Sequence, residues 1–163
     1  MRTKEFIGPL QGVPSLYVHK LDPRARLPET TNKFAVGLDV FAFLLTESGR
    51  PTSRVIHQRG VTTVPTGIVV RPSEGHFIQV CSRSSLAKKG IMVATAPGIV
   101  DPDYSGELVI LLFNGGFETH YVAHEHRIAQ LLLTPITRCN IVEDADKPPP
   151  IGRGETGFGS TGL

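Results

Sequence analysis

Ile91-Met92-Val93-Ala94-Thr95-Ala96-Pro97-Gly98-Ile99-Val100-Asp101-Pro102-Asp103-Tyr104-Ser105-Gly106-Glu107-Leu108-Val109-Ile110-Leu111-Leu112-Phe113 is the stretch from which the fold is read. Two apolar, β-rich runs, 91–95 and 107–113, enclose a segment dense in Gly, Pro and Asp. Pro fixes φ, Gly takes conformations that other residues avoid, and Asp bonds its own main chain, so such residues end strands and turn them. Residues 98–108 therefore read as a hairpin between two strong strands. The same signal recurs on both sides. Residues 16–21, 35–44, 53–57, 67–71, 76–82, 120–124, 128–134 and 136–142 are further strand candidates, each bounded by Gly, Pro or Ser. A spacing of about ten residues between such short strands points to an all-β sandwich or barrel. One short helix is expected at 84–89, stopped by Gly90.

The 163 residues suffice for one domain with a real core. Residues 1–142 read as that β core. Residues 143–163 differ: an acidic and then proline-rich linker leads into a glycine-rich arm too poor in apolar residues to hold a fold alone. With 40% hydrophobic and 20% charged residues, the chain is not of the disordered class. A net charge of +2, spread without a basic stripe, argues against a nucleic-acid partner and is compatible with a phosphate-rich small molecule. Cys81 and Cys139 lack metal-ligand spacing, which favours a reducing compartment over a zinc site. The first ten residues carry no signal-peptide core, and no run reaches the ~18 apolar residues of a membrane span. An intracellular, soluble protein without a membrane partner is expected.

Four segments and one lone acid carry candidate chemistry. In the arm, Arg153-Gly154-Glu155-Thr156-Gly157-Phe158-Gly159-Ser160-Thr161-Gly162 combines exposed main-chain N–H groups, two hydroxyls and a guanidinium, the groups a phosphate chain needs. Phe158 could lie over a planar base. On composition alone a plain glycine-rich tail is an equal reading. Arg83-Ser84-Ser85-Leu86-Ala87 follows a strand and opens a helix, where donors converge on an anion; taken alone, an ordinary N-cap is the better reading. Asp101-Pro102-Asp103 is most often turn chemistry, and the alternative is that Asp101 points into a cleft as a base. The leucines of Arg127-Ile128-Ala129-Gln130-Leu131-Leu132-Leu133 belong in a core, but Gln130 needs a polar partner. Asp39, an acid within an apolar run, must be paired, hydrated or near a metal.

Taken together and in order, these segments resemble the homotrimeric, all-β dUTP pyrophosphatases (dUTPases), over nearly the whole chain. Ala35-Val36-Gly37-Leu38-Asp39 is similar to the family's first motif, Arg83 to Ala87 to its second, and Gly98 to Leu108 to its third. Arg127 to Leu131 is similar to the fourth motif and Arg153 to Gly162 to the fifth. The resemblance implies a distorted, jelly-roll-like β-barrel with one short helix and a mobile C-terminal arm that closes over a neighbouring subunit's site. It implies magnesium-dependent hydrolysis of dUTP to dUMP and pyrophosphate, which limits uracil incorporation into DNA and supplies dUMP for dTMP synthesis. Asp101 would hold and polarise the attacking water. Arg83, Ser84, Ser85 and Gln130 would hold the triphosphate, with Arg153, Gly159, Ser160 and Thr161 closing over its outer end. Main-chain groups of Gly98, Ile99, Val100 and Val109 would read uracil. Tyr104 would occupy the space a ribose 2′-hydroxyl needs, and Phe158 would cover the base. Mg2+ would be held mainly by the triphosphate, with Asp39 reaching it through water.

The chain departs from the family pattern at three places. Glu125-His126 stands where Gly-Asp is usual, which bears on the local turn; Ser85 replaces a common Gly, and Ser105 a common Arg or Gln. Two other readings compete. The dCTP deaminases share the fold, and residues 83–93 look like theirs. They need a glutamate at the position aligned with Leu111, however, and carry an arginine where this chain has Lys88. A non-catalytic signalling module is the second rival, opposed by the joint presence of Asp101, Tyr104, Arg83, Ser84, Gln130 and the arm.

Overall fold

The fold was taken from a computed structural model, which describes residues 12–146 and 149. Eleven strands and one short helix follow in the order β1 (Leu16–Lys20), β2 (Leu38–Phe41), β3 (Ser53–Ile56), β4 (Val61–Pro65), β5 (Ile68–Pro72), β6 (His76–Cys81), α1 (Ser84–Ala87), β7 (Ile91–Val93), β8 (Gly98–Val100), β9 (Val109–Asn114), β10 (His120–Ala123) and β11 (Arg127–Pro135). The all-β, jelly-roll-like class expected above is what the chain adopts. A four-stranded sheet, β2-β11-β6-β8, and a three-stranded one, β4-β9-β7, are joined by the pairs β1-β5 and β10-β3, and every pairing is antiparallel.

Alternation places the core. In β9, Ile110, Leu112 and Asn114 point inward while their neighbours are half-exposed or exposed. Ile56, Ile68, Ile78, Ile128 and Leu131 join Ile110 and Leu112 as fully buried side chains, each contributing about 1.5–3 kcal/mol of burial. Asn114 is the polar member. Its Nδ2 donates to the carbonyls of Ile56 and Glu118, and its Oδ1 accepts from Gly116 N–H, so nothing on it is stranded.

The expected hairpin at 98–108 is corrected. β8 pairs with β6 (Val80 opposite Gly98, Ile78 opposite Val100), whereas β9 pairs with β4 and β7 in the other sheet. The strands flanking the turn thus part into different sheets, and residues 101–108 form a crossover whose end, Leu108, is buried. Glu107 fastens its far end, with Oε1 accepting from Thr66 N–H (3.1 Å) and Gly67 N–H (2.7 Å), while Leu108 N–H donates to Ile68 O. The strand expected at 136–142 does not form either. After Pro135 the chain has no buried alternating face: residues 137–142 are exposed, Ile141 by 97%. Cys139, placed in a strand by its sequence, is therefore exposed coil. Within 35–44 only Leu38–Phe41 pairs as a strand, and β4 was not anticipated.

Candidate active site

Asp39 is the centre of the polar network that the fold builds on its four-stranded sheet. It lies on β2 opposite Gln130 of β11, and Gln130 is in turn opposite Cys81, two residues before Arg83. Its carboxylate, 1% exposed, accepts from Arg83 Nε (2.8 Å), Arg127 Nη1 (3.2 Å) and Gln130 Nε2 (3.3 Å). A buried carboxylate needs such compensation, and two guanidiniums and an amide supply it. Gly37 permits the crowding: a Cβ there would meet Gln130 Oε1 at 3.0 Å. Arg83 sits at the N-cap position of α1, and its Nη1 donates to Arg127 O (3.2 Å) and to Ser85 Oγ (3.4 Å). Ser84 and Ser85 are exposed beside it. A cleft of about 510 Å3 opens here, lined among others by Arg83, Ser85, Arg127, Lys89 and His120. Burial, with Lys89 and His126 nearby, holds the His120 imidazole below its ordinary range. Together these groups can fix and neutralise an anion.

The second group of residues lies elsewhere. Gly98, Ile99 and Val100 form β8, the edge strand, so one row of main-chain donors and acceptors faces away from β6. Asp101 follows directly and is exposed. Tyr104 folds back over Gly106, where a Cβ would collide with the ring, and its hydroxyl donates to Glu107 O (2.9 Å). Another cleft of about 510 Å3 lies beside the Tyr104 ring, with Tyr17, Arg71 and Asp103 in its wall. Val109 opens β9, half-exposed.

Strand β6 runs between the two groups. Val100 is opposite Ile78, and Arg83 lies five residues beyond Ile78, so at ~3.3 Å per residue Asp101 and Arg83 stand roughly 16–20 Å apart along the sheet. The chain thus brings Asp39, Arg83, Ser85 and Gln130 together and keeps Asp101 and Tyr104 with β8 at the other end. Arg153, Phe158, Gly159, Ser160 and Thr161 lie outside the described residues. Sequence reading passes over Arg127, which proves to be a second guanidinium on Asp39. Its signal was a charge opening an otherwise apolar strand. Among the described residues no three His, Cys, Asp or Glu side chains gather as a metal cage, and no helix is long and apolar enough to cross a membrane.

Known proteins resemble this chain in sequence and in fold. The dUTPase family model matches residues 24–162. The deoxyuridine 5'-triphosphate nucleotidohydrolase of Methylocella silvestris is 41% identical over 139 residues, covering 84% of this chain and 83% of its own length. That of Chlamydia pneumoniae is 38% identical over 145 residues, covering 88% and 96%. Among solved structures, a mutant dUTPase of Staphylococcus bacteriophage 80alpha with dUpNHpp has the same fold, with a TM-score of 0.77 at 23% identity over 91% of this chain and 99% of its own. A mutant dUTPase from phage phi11 of S. aureus, described with a structural Mg(II) ion, gives 0.69 at 20% identity over 83% and 99%. With the family model running through most of the sequence and these relatives alike over most of their length, the chain belongs to the dUTPase family.

Proposed function

We propose that this chain performs dUTP hydrolysis at a site shared between subunits of a homotrimer, with Asp101 as base. The separation along β6 supports this reading most strongly. The phosphate-holding groups and the base-bearing strand sit at opposite ends of that strand, so one nucleotide meets both only when another copy supplies one of them. Cyclic, head-to-tail assembly provides such a junction.

In that site the open edge of β8 pairs with uracil through its main chain. Cytosine would leave buried groups unpaired, at about 1–3 kcal/mol each. Tyr104 limits the sugar to a deoxyribose. Arg83, Ser84, Ser85 and Gln130 hold the triphosphate, with Asp39 keeping Arg83 and Gln130 in place. Asp101 takes a proton from a water whose oxygen attacks the α-phosphorus in line. The bond between that phosphorus and the bridging oxygen to the β-phosphate breaks, and dUMP and pyrophosphate result. The residues present fit magnesium held mainly by phosphates. Asp39 already accepts four hydrogen bonds, two of them from Arg83, so it would reach the ion through water only in place of the longest, from Arg83 Nη2 (3.5 Å), and among the described residues no protein cage competes. When bound, the ion neutralises phosphate charge. The arm, with Arg153, Phe158, Gly159, Ser160 and Thr161, closes over the bound nucleotide.

Pyrophosphate release measured with dUTP, dTTP, dCTP and UTP in the presence of magnesium, beside light scattering, tests the proposal. Release from dUTP alone and a trimeric mass are expected. Ammonia release from dCTP would favour the deaminase reading, and a fully active monomer would contradict the shared site.

A further inference from the structure

The turn joining β10 to β11 carries the Glu125-His126 pair that departs from the family pattern. Glu125 has φ +61°, a left-handed conformation in which glycine is at ease and glutamate is not. Ala123 N–H donates to His126 Nδ1 (3.2 Å), and His126 N–H donates to Ala123 O (3.1 Å). The turn is also sewn to the end of β2: Glu125 N–H donates to Ala42 O (2.8 Å) and Ala42 N–H to His126 O (2.9 Å). The next residue is Arg127, whose side chain reaches Asp39 and whose carbonyl accepts from Arg83. Arg127 opens β11 opposite Phe41, and the register with β2 shifts directly after it, so the turn and that one pair together set its direction.

We infer that His126 is a positioning residue for dUTP hydrolysis, its neutral Nδ1 fastening the turn that presents Arg127 to Asp39 and Arg83. An imidazole accepts through Nδ1 only while that nitrogen is bare; the imidazolium has two donors and no acceptor. A proton on Nδ1 therefore sets one N–H against another and opens the turn at its first bond. An aspartate or asparagine oxygen at the same place accepts throughout the histidine range. Around the cleft beside His126 stand Arg26, Arg83, Lys89 and His120, with Glu29 and Glu125 as the acids, so acidification adds charge to a surface already rich in cations. His124, on the other face of the turn, accepts from Leu44 N–H through its own Nδ1 (3.1 Å) and meets the Phe43 ring edge-on. It adds a second Nδ1 bond on that face of the turn. The chain's turn thus ties the alignment of its phosphate-holding arginines to pH.

The inference rests on the reading that Arg83 holds phosphate, and the experiment separates the two. Steady-state dUTP hydrolysis is measured for the wild type, His126→Asn, His126→Asp, His126→Ala and Arg83→Ala between about pH 5.5 and 8, with thermal melts at each pH. His126→Asn and His126→Asp should match the wild type near pH 8 and lose less kcat/KM toward pH 5.5. His126→Ala should lose on the order of tenfold in kcat/KM at pH 8, mainly through KM, while remaining folded. Asn and Asp profiles that superpose on the wild type overturn the inference, whatever becomes of the Ala variant. Ala kinetics equal to the wild type do so as well. An unchanged KM in Arg83→Ala instead overturns the phosphate reading; an impaired Arg83→Ala beside superposing His126 variants removes only the role of His126.

Discussion

A carboxylate buried as fully as Asp39 cannot be taken away without stranding what it holds. Arg83 is mostly buried beside it and Arg127 about half so, and both would be left uncompensated. Asp39→Ala should cost about 3 kcal/mol in urea unfolding and raise KM for dUTP. An Asp39→Ala protein as stable as the wild type would show that the network is decorative. Asp101 is the opposite case, exposed, with its carbonyl accepting from Tyr104 N–H and its carboxylate in no hydrogen bond among the described residues. Asp101→Asn should bind a non-hydrolysable dUTP analogue normally while kcat falls by about 10²–10⁴-fold; near-normal turnover would remove Asp101 as the base. Glu125 sits in backbone geometry that costs a non-glycine residue about 1 kcal/mol or more, so Glu125→Gly should raise stability by about 1 kcal/mol, read from the denaturation midpoint. His120 gives a pH signature of its own. Burial first, then Lys89 and His126, depress its pKa from the ordinary 6.5, so the folded chain resists a proton that the unfolded chain accepts. Its contribution is complete above about pH 6.5 and is lost as pH falls below that value. His120→Asn should flatten the melting temperature over that interval.

Between residue and whole lie the strands, where sequence pattern and outcome part company in instructive ways. The runs at 76–82, 107–113 and 128–134 were legible because alternation and apolar content agree with burial, and they became β6, β9 and β11. The run 61–65 carries Val-Thr-Thr-Val between Gly60 and Pro65, a signal present but not used, and it became β4. The run 136–142 has the composition of a strand, yet among the described residues it pairs with no strand beyond the single bond from Ile136 N–H to Gly75 O, and it stays coil. Composition reports what a segment could pair with; only the sheet decides whether a partner is there. For the same reason 98–108 was recognisable as a chemical segment while its pairing was not, since which strand β8 joins depends on β6, some twenty residues earlier. The crossover that follows β8 is anchored by Glu107. Glu107→Ala would leave two main-chain donors unpaired at the β4–β5 turn, costing about 1–3 kcal/mol and loosening Tyr104, whose hydroxyl depends on Glu107 O. A rise in KM for dUTP together with relaxed discrimination against UTP is the expected kinetic mark.

For the whole molecule, the order of five short segments was enough to read the family, and it was that resemblance, not the individual chemistry of Asp39, Arg83 and Gln130, that set them around one triphosphate. Their distance from Asp101 was not readable, because it is set by register along β6 and by no local property of either segment. In the proposed shared site that distance would make assembly part of the chemistry, with turnover only where two copies meet. Two inactive variants therefore test the arrangement directly. Asp101→Asn and Arg83→Ala proteins, each unfolded and refolded alone, should release little pyrophosphate from dUTP. Refolded together in equal amounts, they should regain activity at about one site in four, because mixed trimers then contain junctions with an intact Asp101 on one subunit and an intact Arg83 on its neighbour. Activity in the mixture no greater than the sum of the separate proteins would contradict the shared site and return both residues to a single chain.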